Sequence, residues 1–585
     1  MSTSLSSASN PFPLDQTPRL QRRWEIAPRA PNEHFARFPD LPPLLVQLLY
    51  NRGLIEPAQV AAFLSDDAPP VDPFRLKGMG DAVMRLRRAV LDGEPIAVYG
   101  DYDVDGVTAT MLLTQTLRGL GAHVRPYIPD RFEEGYGLNP GALDKLAGQG
   151  IRVVVTVDCG ARALAEIEHG NRLGLDVIVT DHHEPEGDRL PPARAVINPK
   201  QPGCPYPDKG LAGVGLAFRL AQALAWELAR DGRELPFPID DQLDLVALGT
   251  VADLAPLVDE NRFMTQRGLA RINARARPGI AALSDVSSLT PGEIDAAAIG
   301  YSLGPRLNAA GRVEHARAAY QLLASESVEQ AAQFAYQLNE QNRERQRLTA
   351  EMVEKAAAQA LEADADAPLL FDGSADFSPG VIGLAASRLV DTHHRPALVL
   401  SINGGEARGS ARSIPQFHIT EALDRCADLL VRHGGHAAAA GFTLRLDRLD
   451  ELKARLTAIA SARRAEGDWS PVLRIDAHAR LSTLTPELQK RLAQLEPHGI
   501  GNPQPVFVSR DIRVRERRAL KDGAHLKLTL LDENGRPREA IAFRMGDRLH
   551  HLPDKIDLAY TSEVNTWNGE WRLQLNVKDL QPAQV

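Results

Sequence analysis

Residues 95–121, PIAVYGDYDVDGVTATMLLTQTLRGLG, decide the architecture. PIAVYG is a short apolar run closed by Gly100, and VTATMLLTQTLRGLG is an amphipathic helical pattern ending on glycine. The stretch therefore reads strand, acidic turn, helix. The same grammar continues downstream, where HVRPYI (123–128), RVVVTV (152–157) and DVIVT (176–180) alternate with helical stretches such as ALDKLAGQG and ARALAEIEHGNRLG. β-Branched runs separated by helices predict a parallel sheet covered on both faces. In such sheets, chemistry gathers where strands hand over to loops at their carboxyl ends.

Each predicted hand-over carries acid. Asp101, Asp103 and Asp105 alternate in DYDVDG, Asp158 follows RVVVTV, Asp181-His182-His183 follows DVIVT, and Asp253 follows the apolar DLVALG. Three carboxylates at alternate positions are costly to hold together unless a multivalent cation neutralises them. A calcium loop does not account for them: that motif needs a glutamate twelfth in the loop and a helix in front, whereas Leu112 stands twelfth here and a strand precedes. Carboxylates with imidazole and no thiolate suit Mg²⁺ or Mn²⁺ better than structural Zn²⁺. Singly, each group has a plainer explanation. An aspartate after a strand more often caps the next helix, a histidine pair is usually hydrogen-bonded at the surface, and Cys159 is a small buried residue. Jointly, four such groups at consecutive strand ends converge on one rim of one sheet.

Working outward, the Ser-, Pro- and Asn-rich segment 1–34 is expected to be disordered. Residues 35–320 hold lead-in helices and the parallel-sheet domain. A long polar helix occupies 321–364, its Arg343, Arg345 and Arg347 read as a salt-bridged face or as phosphate contacts. A smaller α/β unit with LVL strands and glycine-rich loops follows over 365–465. Over 470–585, five strand patterns (FVSRDIRVRERRAL, HLKLTLLD, EAIAFRM, KIDLAYTSEV and WRLQLNVKDL) predict a small β-barrel.

Composition sets bounds. The 585 residues are 44% hydrophobic and 24% charged, which excludes wholesale disorder. Three cysteines without a CxxC pair argue against a disulfide framework and fit a reducing, cytoplasmic setting. No apolar run reaches about 18 residues, so no membrane span is expected, and the N-terminal stretch lacks the pattern of a signal peptide. The net charge of −9 argues against a polyanionic partner. However, Asp101, Asp103, Asp105, Asp158 and Asp253 account for five of the negative charges, and 471–585 carries 18 Lys+Arg against 15 Asp+Glu, with Arg513, Arg515, Arg517, Arg518 and Lys521 concentrated in one strand and its turn.

GDYDVDG, VDCG, TDHHEP and GTVADLAP, in this order, closely resemble the successive motifs of the DHH phosphoesterase superfamily. Downstream, LNAAGR (307–312), GVIGLAASRL (380–389), RGSARS (408–413) and GGHAAAAGF (434–442) resemble the RecJ family of single-stranded-DNA-specific 5′→3′ exonucleases. One departure is Phe377-Ser378 before PGVIG, where many members carry Trp-His. The resemblance implies a parallel-sheet DHH domain, a linking helix, a DHH-associated substrate-clamp domain and an oligonucleotide-binding (OB) barrel. It also implies two Mn²⁺ or Mg²⁺ ions held by Asp103, Asp105, Asp158, His182 and Asp253, with Asp158 bridging and Asp101 either a further ligand or a support behind one. Two such ions about 3.5–4 Å apart acidify a water and stabilise both attacking and departing oxygens.

By the same resemblance, His183 and Asp158 are the catalytic candidates, His183 contacting the scissile phosphate or protonating the leaving group. The implied activity is degradation of single-stranded DNA to mononucleotides in recombination and repair, by a monomer that works with a single-stranded-DNA-binding protein and a helicase. Recognition of a 5′ end needs phosphate ligands. Arg131, Ser410 and Arg412 are the candidates, joined by Arg312 and by the Gly434-Gly435-His436 stretch. Arg131 has a rival reading as a salt bridge to Glu133 or Glu134, and the small residues of GGHAAAAGF have one as tight helix packing. Two other functions stay open at this point: a DHH phosphodiesterase acting on short oligonucleotides or cyclic dinucleotides, and a non-catalytic nucleic-acid scaffold.

Overall fold

The acidic turns stand on five parallel strands. In the computed structural model, which describes residues 22–65, 71–131, 134–135, 137–313, 316–567 and 570–583, the strands lie in the order Val124–Tyr127, Ile96–Gly100, Val153–Val157, Asp176–Thr180, Ala195–Ile197, all parallel. The short Ala195–Ile197 strand was not foreseen, since three residues carry too little periodicity to read. Successive side chains face opposite ways, and the strands Ile96–Gly100 and Val153–Val157 are buried at every position. Val153, Val155 and Val157 pack with the helices Val104–Gly119, Gly213–Ala229 and Leu243–Ala252, while Val154, Val177 and Val179 pack with Leu143, Leu146 and Ile167 from the helices on the other face. Each fully buried valine or leucine contributes about 1.5–3 kcal/mol, and that two-sided burial makes a rigid platform for the strand ends.

One expectation needs correction. DLVALG is not a strand: Leu243–Ala252 is an α-helix, and Asp253 is its C-terminal cap residue. Leu243 through Val251 are all buried. A helix enclosed on every side loses the polar stripe that would reveal its 3.6-residue period, so a short apolar run reads equally as strand.

The chain divides into two compact units, Glu56–Asn342 with Gln494–Gln504, and residues 22–55 with Arg343–Ala493 and Pro505–Val585. In the second, a mixed sheet runs in the order Leu430–His436, Ala439–Arg445, Glu406–Arg412, Ala397–Asn403, Leu370–Ser374. Phe377 is buried beside Leu370, Val381 and Val399, so the departure at this position still fills the core. GSARS and GGH are not loops. They lie in the strands Glu406–Arg412 and Leu430–His436, and GGHAAAAGF forms a hairpin rather than packed helix. Alanine and glycine have low strand propensity, which hid these strands.

The five strands predicted beyond residue 470 are present and close on themselves: Phe507–Leu520, His525–Leu531, Pro537–Ala542, Glu570–Pro582 and Lys555–Trp567, the last pairing back onto the first. Arg513, Arg515, Arg517 and Arg518 are exposed on the first of these, Arg517 being tied to the Leu552 carbonyl and to Asp554.

The expected disorder over 1–34 fails in its later part. Residues 1–21 lie outside the described residues, but Arg23–Ile26 forms a strand parallel to Val472–Ile475, and the Trp24 indole donates to Asp579 at 2.9 Å. Two apolar residues in a polar segment were too few to signal it. The long helix runs Val328–Ala363, with Arg317–Ala324 a separate helix before it. On it, Arg347 bonds Glu344 and Glu351, each at 2.6 Å, as a salt-bridged face requires. No helix among the described residues is long and apolar enough to cross a membrane.

Candidate active site

The strand Ile96–Gly100 delivers Asp101 to the rim, and the next turn enters the helix Val104–Gly119. Asp103 caps that helix, accepting from the Gly106 amide at 3.0 Å, so the plain capping role is real and coexists with its place in the cluster. A side chain at Gly106 would strike the Asp101 backbone at 2.6 Å, which is why the motif closes on glycine. Asp105, fully enclosed, accepts from the Gly213 amide at 2.7 Å and the Val214 amide at 2.8 Å. These are the first amides of a 17-residue helix, whose N-terminus favours negative charge. Asp158 ends its strand at φ 62°, a conformation that costs a non-glycine residue on the order of 1 kcal/mol and persists where surrounding structure enforces it.

Three sets of ligand atoms lie within 4.8 Å of one another: Asp101, Asp103 and Asp158; Asp158, His182 and His183; Asp105, His182 and Asp253. Asp158 and His182 each belong to two sets. His182 Nε2 stands 3.0 Å from Asp158, 3.8 Å from Asp253 and 3.9 Å from Asp105. Thus all six metal-ligand candidates and His183 come together, from four separate chain segments.

The electrostatics are those of a cation site. Burial, and then the charges of neighbouring carboxylates, push Asp101, Asp105 and Asp158 well above the usual carboxylate range. Burial and Asp103 push Asp253 up to about 7. Burial, followed by the charge of His183, lowers His182 to about 4, leaving a neutral imidazole, the form that ligates metal. Asp101 Oδ1, Asp158 Oδ1 and His182 Nε2 are buried without a hydrogen-bond partner. Oxygen and imidazole donors left unsatisfied around one point fit Mn²⁺ or Mg²⁺. Cys159 adds no ligand, because its sulfur faces the Tyr99 carbonyl at 3.9 Å.

Asp181 is no ligand either. Its carboxylate accepts from the Ala161 amide at 2.7 Å and holds His183 Nδ1 at 2.7 Å. Burial opposes charge on His183, but the hydrogen bond and charge of Asp181 prevail and raise its pKa.

Arg131 lies with its guanidinium carbon 5.0 Å from the centre of the Tyr102 ring. Its proposed rival partner Glu134 is engaged instead by the Tyr127 hydroxyl at 2.6 Å and the Asp130 amide at 2.7 Å, and Glu133 lies outside the described residues. Asn308 accepts from the Val104 amide at 3.2 Å and so orders the acidic turn; Arg312 follows on the same helix. In the second unit, Arg412 donates to Ser410 Oγ at 3.1 Å and to the Ala411 carbonyl at 2.9 Å. Burial lowers its pKa, and no carboxylate among the described residues pairs with it. Gly434, Gly435 and His436 are exposed on the sheet's edge strand.

Sequence reasoning missed Gly213, Val214 and Gly249. A side chain at Gly249 would meet Thr108 Oγ1 at 2.4 Å and Asp105 Oδ1 at 2.8 Å. The only signal in the sequence was a pair of glycines in LAGVGLAF, which a helix pattern absorbs.

Comparison with known proteins now decides the family. The descriptions "DHH family, N-terminal domain", "DHHA1 domain" and "RecJ OB domain" match residues 95–250, 364–462 and 475–579. The single-stranded-DNA-specific exonuclease RecJ of Bacillus subtilis is 40% identical over 543 residues, covering 92% of this chain and 68% of that protein. The chain belongs to the RecJ family. RecJ of Salmonella typhimurium is 36% identical, covering 93% of this chain and 96% of its own length. Thermus thermophilus RecJ in complex with Mn²⁺ superposes with a TM-score of 0.82 at 31% identity, over 96% of this chain and 80% of that one. The same RecJ in complex with Mg²⁺ gives 0.76 at 30% identity, over 96% and 79%. The RecJ OB match coincides with the closed barrel, and the DHH match with the sheet whose rim gathers the seven acid and imidazole groups except Asp253, which lies just beyond it.

Proposed function

We propose that the chain is a divalent-metal-dependent exonuclease specific for single-stranded DNA, working from the 5′ end and releasing mononucleotides. The observation that carries this is the convergence of Asp101, Asp103, Asp105, Asp158, His182, His183 and Asp253 into three overlapping triplets, in a chain of the RecJ family.

The six of these side chains other than His183 are the ones that would hold Mn²⁺ or Mg²⁺, and Asp158 and His182 each belong to two of the triplets. When bound, the ions supply an acidified water and electrostatic stabilisation of the charge that builds on phosphate. The protein's own part is positional. The helix amides of Gly213 and Val214 fix both oxygens of Asp105. Asp181 fixes the ring of His183 through Nδ1, so Nε2 is directed away from Asp181, where it can donate to a phosphate oxygen or protonate the departing 3′ oxygen. Ligands held this way need little rearrangement as charge develops.

Arg131, and in the second unit Ser410 with Arg412, are proposed as ligands of the strand's 5′-phosphate. A guanidinium matches phosphate geometry with paired N–H donors. Arg312, Gly434, Gly435 and His436 are proposed as further backbone contacts of the strand. The barrel, with its exposed Arg513, Arg515 and Arg518, is proposed to follow single strand by charge and stacking, an interaction that weakens with salt. The setting that fits is cytoplasmic DNA repair and recombination, with a helicase and a single-stranded-DNA-binding protein presenting the strand to a monomer. Chelation tests the core of the reading: EDTA should abolish digestion of single strand, and added Mn²⁺ or Mg²⁺ should restore it. Digestion that persists in EDTA would overturn it.

A further inference from the structure

We infer that Tyr102 is a positioning residue for end recognition, its ring seating the Arg131 guanidinium beside the metal ligands so that preference for a 5′-phosphate requires an aromatic ring at this position. The inference rests on the reading of Arg131 as a phosphate ligand.

Tyr102 stands in the chain between Asp101 and Asp103, so the turn that places two ligands also places the ring. That turn is pinned from the helix Gly304–Val313. Asn308 accepts from the Val104 amide at 3.2 Å, and the Tyr102 carbonyl lies so close to Gly311 that a side chain there would meet it at 3.0 Å. The ring itself packs against the main core. Arg131 meets it from a separate segment, with its guanidinium carbon 5.0 Å from the ring centre. That segment is tied through Glu134, which takes the Tyr127 hydroxyl and the Asp130 amide.

The kind of partner matters. An aromatic face attracts a cation through its quadrupole and presents no pair of acceptor oxygens, whereas a carboxylate would take two guanidinium N–H groups at once. Bidentate capture of a phosphate needs those donors.

The test compares initial rates on single strands carrying a 5′-phosphate or a 5′-hydroxyl, at saturating Mn²⁺, for Tyr102→Phe, Tyr102→Leu, Tyr102→Met and Arg131→Ala. Mn²⁺ affinity of each protein is measured separately by electron paramagnetic resonance. Tyr102→Phe should keep the phosphate/hydroxyl rate ratio within about twofold, because the face is kept. Tyr102→Leu and Tyr102→Met should lower it by roughly 3- to 20-fold with Mn²⁺ affinity unchanged. The methionine variant serves where the leucine variant folds poorly. If Arg131→Ala collapses the ratio while both aliphatic variants keep it, the role of Tyr102 is wrong and that of Arg131 stands. If the aliphatic variants lose Mn²⁺ affinity together with the ratio, Tyr102 merely scaffolds the turn and the inference also fails. If Arg131→Ala keeps the ratio, the reading of Arg131 itself fails.

Discussion

His182 Nε2 and Asp158 Oδ1 lie 3.0 Å apart and yet make no hydrogen bond, each atom remaining buried without a partner. An imidazole nitrogen and a carboxyl oxygen buried this close without a hydrogen bond are both left unsatisfied, and a cation is the partner that would satisfy the two together. The site is thus built for an ion at the expense of the metal-free fold.

Asp158→Asn should expose that trade. Removing one enclosed charge relieves repulsion, so in EDTA the variant should melt about 2–4 °C above the parent. Its nuclease activity should fall on the order of 10³-fold or more, and added Mn²⁺ should raise its melting temperature less than it raises the parent's. Thermal melts with and without Mn²⁺ check all three differences when paired with a rate assay.

Asp253 gives the pH dependence its sign. Its folded-state pKa of about 7 lies above the ordinary aspartate value, so the metal-free protein binds this proton more tightly folded than unfolded. The resulting stability is present at low pH and lost as pH rises through about 7. Metal-free protein should therefore soften between about pH 6 and about pH 8, and Mn²⁺ should raise the melting temperature more at the higher pH. An equal metal-induced shift at both values would contradict this.

Gly249→Ala places a methyl 2.8 Å from Asp105 Oδ1 and 2.4 Å from Thr108 Oγ1. The overpacking should cost about 1–3 kcal/mol of stability. By displacing Asp105 from its two amides it should also weaken Mn²⁺ binding by roughly 10–100-fold. Calorimetric titration of Mn²⁺ into the folded variant measures the second effect apart from the first.

Arg412→Ala should act on the substrate end alone. A charge-assisted contact to phosphate is worth about 1.5–3 kcal/mol, so the rate on 5′-phosphorylated strands should drop roughly 10- to 100-fold while the rate on 5′-hydroxyl strands and Mn²⁺ affinity hold. Equal losses on the two strands would remove Arg412 from end recognition.

What the sequence made legible follows from where each signal resides. Asp101, Asp103, Asp105, Asp158 and His182 could be read because a parallel sheet sends every strand end to one rim, so side-chain identity and strand order together fix the cluster. Asp253 was found for a partly mistaken reason. Its helix is buried on all sides and imitates a strand, yet it ends at the same place. The clamp on Asp105 could not be read at all, because it consists of backbone amides 108 and 109 residues away, and any residue has an amide. Gly409 likewise carried a message that required the fold: its missing side chain is the space filled by the Phe442 ring on the neighbouring strand. The strand Arg23–Ile26 was hidden because its stability comes from a partner some 450 residues downstream rather than from its own pattern.

The most direct test of the central claim uses strands labelled at the 5′ or the 3′ end, offered as single strand and as blunt duplex, with Mn²⁺ or with EDTA. The account predicts that with Mn²⁺ the 5′ label leaves first, as a mononucleotide, while 3′-labelled single strand shortens progressively; blunt duplex and EDTA reactions stay intact. Release of the 3′ label first, faster digestion of duplex than of single strand, or digestion in EDTA would contradict it.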